Sequence, residues 1–357
     1  SGYIFGDWMY SKLIRITPDL KLESDLATDW ESNSANDVWT FHLRDDATFS
    51  HDGSTVTAED VKATFEVLES EERAAGGTEM LDPVESIIVV DDQTVEMELA
   101  YAYGDYPWKM TKRFGNILPK SIIESDYDSI SSKDYGSGPF VLEEYETNNS
   151  YTFGAYEDHH LADDENNQLP YVDKLAVQVE PDPISRVNGL SDNRTDVLNS
   201  VSASSYEKVK SSDDTSAKSG PGGLFAPIVT PLTLGPFDEL NVRQAMKHAV
   251  DRQQMLAGAV SGRGELGADH PVAPINNFHV GLEDKFGDTA NQEKAEQLLA
   301  DAGYSDGLEL PTLIYSTGGG PQMEPMAVLL QEQMKKVGIE FEIQNMPWDQ
   351  FLSEVWN

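Results

Sequence analysis

Residues 25–61 read DLATDWESNSANDVWTFHLRDDATFSHDGSTVTAEDV, and this stretch decides the fold of the first half of the chain. Apolar and polar side chains alternate from Val38 to Arg44, which is typical of a half-buried strand. Asp52-Gly53 then predicts a turn. Thr57 precedes Asp60 by three residues, in a pattern close to a capping box, and apolar residues follow at helical spacing. The stretch therefore predicts a strand, a turn and a helix in close order.

The residues that follow this stretch predict a hairpin. Residues 87–90 and 95–99 both carry apolar side chains in β-type patterns, and the polar residues 91–93 separate them. Asp91 and Asp92 are interpreted as turn residues, since no pocket sets them opposite another carboxylate. The first part of the chain is therefore predicted to be α+β.

Two capped helices are predicted in the second half of the chain. Asp238 precedes an apolar face at residues 242–250. Thr289 and Gln292 form a capping signature before a second apolar face, and Gly303 is placed to end that helix. In both segments the capping residues and the apolar face therefore predict the same helix.

The last sixty residues predict a βαβ unit. A strand at 310–315 is followed by a glycine-rich turn at 318–320, a helix at 326–337 and a second strand at 339–343. Such a unit pairs its strands in parallel through a right-handed crossover. Open α/β sheets bind ligands beyond the carboxyl ends of their strands, so a ligand is expected at that edge.

The chain has one clear candidate for an inter-domain crossing, the Gly, Pro and Ser cluster at 219–223. We find no internal repeat. Residues 354–357 follow a strand without a closing element, so the second lobe is expected to be unfinished. No signal sequence is visible at Ser1, which fits either a cytoplasmic protein or a mature fragment.

The composition indicates an acidic globular protein. Its 357 residues suggest two or three domains. A hydrophobic content of 39% excludes a disordered chain, and a mean hydropathy of -0.45 without a long apolar run excludes a membrane span. Asp and Glu number 63 against 25 Lys and Arg, which gives a net charge of -38. This charge argues against a nucleic-acid partner, and we interpret it as adaptation to concentrated salt.

No catalytic or metal-binding motif is found. The chain has no cysteine, which excludes disulfides, thiolate nucleophiles and cysteine-based metal sites. P-loop, zinc-protease and nucleophile-elbow patterns are absent from the sequence. Ser137 lies between two glycines, and we interpret it as part of a tight turn rather than as a nucleophile. His159 and His160 stand among acidic residues, and a solvated loop is preferred there over a divalent-metal site.

Further motifs follow the opening stretch in a fixed order along the chain. They are GSGPF (136–140), LPYVDKL (169–175), PFD (236–238), VRQA (242–245), AVDR (249–252), the helix at 295–303 and VGI (337–339). Together with residues 25–61, this order resembles family 5 of the extracellular solute-binding proteins, the peptide/nickel type that serves ABC transporters. Several motifs in one order are more specific than any short motif alone.

The resemblance implies a periplasmic-binding-protein-like α/β fold of class II, in which two lobes surround a hinge and an α+β domain is inserted into the first lobe. It divides the chain into lobe I at 1–33 and 150–222, the inserted domain at 34–149, and lobe II at 223–357. Family members run on beyond a point like Asn357. The C-terminal part of the fold is therefore expected to be missing from this chain.

The resemblance also implies a function. Such proteins bind a peptide-like solute outside the cytoplasmic membrane, close their lobes over it and deliver it to an ABC importer without bond chemistry. The implied partners are the solute and the transporter's permease subunits, and the implied state is a monomer without cofactor or metal. The implied location is the cell surface, where membrane association depends only on a leader or lipid anchor outside this sequence.

By alignment to the family, six residues are expected to contact the ligand: Tyr3, Phe5, Trp108, Arg113, Tyr315 and Thr317. Each has a structural alternative, because aromatic side chains mostly pack in cores and an arginine often pairs with a surface carboxylate. Dipeptide-binding members carry an arginine where this chain has residues 317–320, so no strict dipeptide preference is implied.

Two alternatives to peptide binding stay open. The first is a binding protein for another solute, such as a nickel chelate or an oligosaccharide, which would need histidine and arginine or aromatic platforms in the cleft. The second is an extracellular hydrolase, which would need a convergent acid, base or nucleophile in the cleft. The sequence assigns no catalytic residue and no metal ligand.

Overall fold

The computed structural model describes residues 2–68, 78–112, 114–199, 201–220, 222, 226–267, 269–276, 278–281 and 285–356. The chain forms two compact units, Ser1–Val179 and Glu180–Asn357. Unit 1 contains the whole of the predicted inserted domain, and the lobe boundaries themselves stay a prediction. Every helix in the described part of the chain is too short or too polar to span a bilayer.

Unit 1 is a mixed α/β body. Its elements in chain order are α1 (Gly2–Met9), β1 (Ile14–Ile16), β2 (Leu22–Ser24), β3 (Ala27–Ser32), β4 (Val38–Leu43), α2 (Ala58–Leu68), β5 (Val84–Asp91), β6 (Thr94–Leu99), α3 (Lys120–Ser125), β7 (Phe140–Glu146), β8 (Ser150–Ala155) and β9 (Lys174–Gln178). Short 3₁₀ helices lie at Thr78–Met80, Tyr106–Thr111 and Tyr127–Ser131. The strands form a pair β1-β2, an antiparallel sheet β3-β4-β6-β5 and an antiparallel sheet β7-β8-β9.

The four-stranded sheet and α2 enclose the main core of unit 1. The alternate side chains of β4 are buried, and β5 and β6 form the hairpin, so both strand predictions are confirmed. The helix start is also confirmed, because one Asp60 oxygen accepts hydrogen bonds from Thr57 N and Thr57 Oγ1, both at 2.8 Å. The other oxygen accepts from Lys120 N at 2.7 Å. Asp60 therefore joins the starts of α2 and α3.

Unit 2 is built from helices and two short parallel strand pairs. Its elements are α4 (Pro183–Ser191), α5 (Ala203–Lys210), α6 (Leu240–Ala249), α7 (Arg252–Val260), α8 (Gln292–Asp301), β10 (Leu308–Glu309), β11 (Leu313–Tyr315), α9 (Met323–Lys335), β12 (Ile339–Glu340), β13 (Ile343–Asn345) and α10 (Trp348–Phe351). A 3₁₀ turn lies at Thr317–Gly319, and a π turn lies at Leu352–Trp356. The apolar faces of α6, α8 and α9 form its core with the strands.

The predicted βαβ unit is confirmed. β10 pairs in parallel with β12, β11 pairs in parallel with β13, and α9 is the crossover helix. Gln333 on α9 is buried, and its Oε1 accepts a hydrogen bond from Asp251 N at 2.9 Å. Asp251 caps α7 in turn, because its Oδ1 accepts from Gln254 N. These bonds fix the crossover helix against α7.

Both predicted caps in unit 2 are wrong, although both helices are present. The N-cap of α6 is Glu239 and not Asp238, and its side chain makes no capping hydrogen bond. The N-cap of α8 is Asn291 and not Thr289, because α8 begins at Gln292 and Asn291 Oδ1 accepts from Lys294 N at 3.0 Å. Asparagine is as good an N-cap as threonine, so residue type alone does not locate the first turn.

Candidate functional site

The carboxyl ends of β11 and β13 form one edge of the βαβ unit. Tyr315 ends β11, Asn345 ends β13, and the two residues are register partners. Met346 N continues the pairing by donating to Tyr315 O at 2.8 Å. Because the strands are parallel neighbours, the residues that follow both of them meet at the edge where such sheets bind ligands.

The glycine-rich turn after β11 presents polar groups at this edge. Ser316 is buried, and its Oγ accepts a hydrogen bond from Gly318 N at 3.3 Å. Thr317 is exposed, and its N donates to Asn345 Oδ1 at 3.3 Å. Gly320 has a φ of +131°, a conformation that favours glycine. The turn is thus held by the side chains of Ser316 and Asn345, while Thr317 is exposed.

Trp348 supplies an aromatic wall beside this turn. Its indole packs against Gly318, where an added Cβ would lie 2.6 Å from Trp348 Cβ, so the close approach requires glycine. The side chain remains 42% exposed and stacks on Phe351 with ring centroids 5.8 Å apart. An exposed ring next to fixed hydrogen-bonding groups is the composition of a small-ligand site.

The residues expected in unit 1 lie in two separate places. Phe5 on α1 is 8% exposed and packs against Trp8, Tyr151 and Phe153, with ring centroids 5.2, 4.7 and 5.3 Å away. Trp108 is half-buried in the 3₁₀ helix Tyr106–Thr111. Phe5 therefore contributes to packing, and the roles of both residues in ligand binding stay predictions.

The other two residues expected in unit 1 are described less fully. Tyr3 lies in α1, but its side chain is outside the described residues, and Arg113 is outside them altogether. In unit 2, Tyr315 and Thr317 lie together at the carboxyl edge. Their contact with a ligand also stays a prediction.

The GSG motif at 136–138 is a packing junction with the segment that follows α1. Gly138 N donates to Met9 O at 2.9 Å, and Ser11 Oγ donates to Ser137 O at 3.1 Å. A Cβ at Gly136 would lie 1.7 Å from Met9 O, so only glycine permits this approach. Ser137 is fully buried, and among the described residues no base reaches its Oγ. The motif acts in packing, but residues 136 and 137 form no hydrogen-bonded turn, so the tight-turn interpretation is not confirmed.

The two neighbouring histidines are buried, so the expectation of a solvated loop is wrong for them. His160 Nε2 lies 2.9 Å from Asp25 Oδ1, and its side chain is 1% exposed. Asp25 Oδ2 accepts from Lys12 N at 2.8 Å. His159 Nδ1 lies 3.2 Å from Ser137 O. The described part of the chain holds no group of three or more potential metal ligands. The two histidines instead join their loop to Ser137 and Asp25.

Comparison with known families now identifies the chain. Residues 21–357 match the model of the bacterial extracellular solute-binding proteins, family 5 Middle. The chain belongs to this family. The family is one of solute-binding proteins and not of enzymes, as the motif order indicates.

Curated relatives of the family 5 chain include two peptide-binding proteins. The chain is 26% identical to the oligopeptide-binding protein AppA of Bacillus subtilis, over 97% of its own length and 65% of the relative's. It is 23% identical to the dipeptide-binding protein of Escherichia coli, over 92% of its own length and 64% of the relative's. The chain therefore spans about 65% of the length of the curated relatives that it matches.

Solved structures confirm the predicted fold class for this family 5 member. The periplasmic binding protein AgaA of A. tumefaciens R10, solved with agropinic acid, matches with a TM-score of 0.82 at 23% identity, over 99% of this chain and 70% of that one. AppA of Bacillus subtilis, solved with a nonapeptide, matches with a TM-score of 0.78 at 23% identity, over 99% of this chain and 71% of that one. At this identity the likeness shows the fold, a mixed α/β fold of class II.

Sequence reasoning missed two residues of the edge, Asn345 and Trp348. Both follow the second predicted strand, at 339–343, as Tyr315 and Thr317 follow the first. The rule that ligands bind beyond the carboxyl ends of parallel strands applies equally to both strands. Applied to the second strand, it would have pointed to Trp348.

The buried histidine His159 makes stability depend on pH. Burial, together with a smaller effect of the neighbouring His160, lowers the pKa of His159 from 6.5 to about 4. The unfolded chain binds this proton below pH 6.5 while the folded chain does not, so the stabilising contribution is full above pH 6.5 and is lost as the pH falls towards 4. We expect the loss of stability to reach roughly 3 kcal/mol across this window.

The measurement is urea unfolding at several pH values, for the wild-type chain and for His159→Gln. The difference between the free energies of unfolding of the two proteins isolates the contribution of His159, because all other titrating residues contribute equally to both. His42→Gln is the matched control, because the His42 side chain is 40% exposed. Equal pH slopes for the wild-type chain and His159→Gln would contradict the assignment.

Proposed function

We propose that this protein binds a peptide-like solute outside the cytoplasmic membrane and delivers it to an ABC importer when its lobes close over the solute. Membership of family 5 supports this proposal, as do relatives named for oligopeptide and dipeptide binding. The observation that carries it is the edge formed by Tyr315, Thr317 and Trp348. At that edge the exposed Thr317 side chain and the exposed ring of Trp348 lie at the same glycine-rich turn.

An extended peptide suits this combination of groups. Main-chain amides need donors and acceptors in a row, and side chains need apolar faces between them. The exposed indole of Trp348 supplies such a face, and Thr317 supplies a hydrogen-bonding hydroxyl. Tyr315 is the third proposed contact in unit 2, and Tyr3, Phe5, Trp108 and Arg113 are the proposed contacts of unit 1.

The proposal includes the setting in which the protein works. We expect a monomer at the cell surface, held to the membrane only by a leader or lipid anchor, with the permease subunits as its partners. The charge of -38 argues against nucleic acid as a partner and supports adaptation to concentrated salt. No cofactor and no catalytic residue are assigned.

The test of function is native mass spectrometry of the full-length protein, purified in high salt, for a co-purified ligand. A peptide mass supports the proposal and gives the peptide length. Calorimetric titration with a peptide library is the second arm. An empty protein that binds no peptide would overturn the proposal, and agropinic acid and Ni(L-His), ligands of structural neighbours, would then be tested.

The aromatic wall gives a specific prediction. Trp348→Ala is expected to weaken peptide binding by roughly tenfold to a hundredfold, because truncation of an exposed anchor removes its apolar contact with the ligand. Trp348→Phe retains a ring and is expected to lose less. Calorimetry measures the affinity, and Tyr101→Ala is the control, since Tyr101 is an exposed tyrosine of unit 1. An unchanged affinity in Trp348→Ala would remove this edge from the site.

A further inference from the structure

Two places in the sequence have the acceptor pattern of N-linked glycosylation, an asparagine followed two residues later by serine or threonine. They are Asn148-Asn149-Ser150 and Asn193-Arg194-Thr195. In a protein outside the cytoplasmic membrane, this pattern marks an asparagine side chain to which an oligosaccharide is attached. The pattern is short, so the structure around each one decides whether its asparagine and its hydroxyl are available.

The first pattern crosses from a hairpin turn into the central strand of a sheet. Asn148 is exposed in the turn between β7 and β8, with a φ of +61°. Ser150 is half-buried at the start of β8, where it is the register partner of Glu146 on β7 and of Gln178 on β9. The hydroxyl-bearing residue of this pattern is therefore held between two neighbouring strands.

The second pattern lies in the loop between α4 and α5. Residues 192–199 form neither helix nor strand, and within them Asn193 and Arg194 are exposed and Thr195 is half-buried. Asn193 has a φ of +54°, a left-handed conformation that asparagine adopts more readily than most residues. Acceptor asparagines lie in surface loops of this kind.

Main-chain hydrogen bonds hold the second pattern at the end of α4, while its side chains stay free. Arg194 N and Thr195 N both donate to Gly189 O, at 2.9 and 3.2 Å. Asn193 N donates to Leu190 O at 3.2 Å. Within the described part of the chain, the Asn193 amide and the Thr195 hydroxyl make no side-chain hydrogen bond. Both groups that the acceptor pattern requires are therefore available.

We propose that Asn193 is a glycosylation site and carries an N-linked oligosaccharide in the native protein. Attachment forms a bond between Asn193 Nδ2 and the anomeric carbon of a sugar carried on a polyprenyl phosphate. The bond between that carbon and the phosphate oxygen breaks, and the lipid phosphate leaves with its electron pair and takes up the proton that Nδ2 releases. The inference rests on the proposed extracytoplasmic function, since this pattern is used in secreted proteins.

The test is mass spectrometry of peptides from the full-length protein, isolated from the surface of its own cells. The peptide that contains Asn193 is expected to carry a covalently bound saccharide, and the peptide that contains Asn148 is expected to be unmodified. Asn193→Gln and Thr195→Ala are each expected to abolish the modification, the second without altering the asparagine. Thr195→Ser keeps the hydroxyl and is expected to keep the saccharide.

Asn166→Gln is the matched control. Asn166 is exposed with a φ of +64°, but Gln168 stands two residues after it, so the saccharide on Asn193 is expected to be unchanged in this variant. A bare Asn193 in protein from the cell surface, or a saccharide on Asn148 alone, overturns the inference and leaves the proposed function intact.

The proposed function fails separately. Recovery of the protein only from the cytosol would overturn the proposed location, and the glycosylation of Asn193 with it. Peptide titration of Asn193→Gln is expected to give the wild-type affinity, because the loop between α4 and α5 is not among the proposed ligand contacts. Protein from the cell surface that is glycosylated at Asn193 but binds no peptide would overturn peptide binding alone.

Discussion

Gly136→Ala is expected to lower the free energy of unfolding of unit 1 by more than about 3 kcal/mol, or to prevent its folding. The added Cβ would lie 1.7 Å from Met9 O and 2.6 Å from Met9 C, distances that no methyl group tolerates. Those atoms belong to main chain, which no rotamer change can move aside. The junction would have to open.

Opening the junction breaks more than one contact. Gly136 N donates to Asp134 Oδ1 at 2.8 Å, and Gly136 O accepts from Ser50 N at 2.8 Å. Asp134 is largely buried, and burial raises the pKa of its carboxyl. A shift of Gly136 would leave this carboxylate without one of its two main-chain donors, and an unpaired buried polar group is costly.

Urea unfolding followed by circular dichroism measures the effect, with Gly104→Ala as the matched control. No atom lies within 4 Å of a Cβ added at Gly104, so that change is expected to alter stability by less than about 0.5 kcal/mol. Gly138→Ala is a second test, because its Cβ would lie 2.5 Å from Met9 C. Wild-type stability in both Gly136→Ala and Gly138→Ala would show that the junction is not packed as described.

Local patterns in the sequence were sufficient where neighbouring residues decide the structure. The alternation along Val38–Arg44 and the Thr57–Asp60 pair each act within a few residues, and β4 and α2 form where they predict. Gly303 likewise ends α8 with a φ of +90°, which its own backbone permits. These features needed no knowledge of distant contacts.

Distant contacts decided two other features, the burial of His159 and His160 and the position of Trp348. His159 and His160 stand among acidic residues, yet a partner 135 residues earlier, Asp25, draws His160 into the interior. Loop composition could not have predicted that burial. Trp348 is similar, because its position depends on the glycine turn thirty residues before it, which lies beside it only once β11 and β13 have paired.

The acidic surface gives the second large prediction. We expect transfer from about 2 M to about 0.1 M KCl to lower the free energy of unfolding by roughly 5 kcal/mol, and to unfold the chain if its stability is smaller than that. The chain carries 38 more carboxylates than cationic side chains, so most acidic groups have no cation of their own. Folding brings these charges together, and their repulsion opposes it.

Salt acts on this repulsion through the screening length, which grows from roughly 2 Å to about 10 Å over that range of concentration. At the longer length each carboxylate is repelled by many others across the surface, whereas at the shorter one only contacting charges interact. Local ion pairs such as Arg44 with Asp46, 2.5 Å apart, change much less. The salt dependence of the free energy of unfolding therefore reflects the net charge of the whole chain and not any single ion pair.

A charge-reduced variant separates screening from a general effect of salt on hydration. Asp213→Asn, Asp214→Asn and Glu296→Gln together remove three exposed charges without altering a buried contact. Repulsion grows with the square of the net charge, so the salt dependence is expected to become shallower by roughly 15%. Thermal unfolding over a series of KCl concentrations measures both proteins. If the wild-type chain were equally stable at the highest and the lowest KCl concentrations, the fold itself would tolerate the negative charge. Adaptation to concentrated salt would then no longer explain the acidic composition.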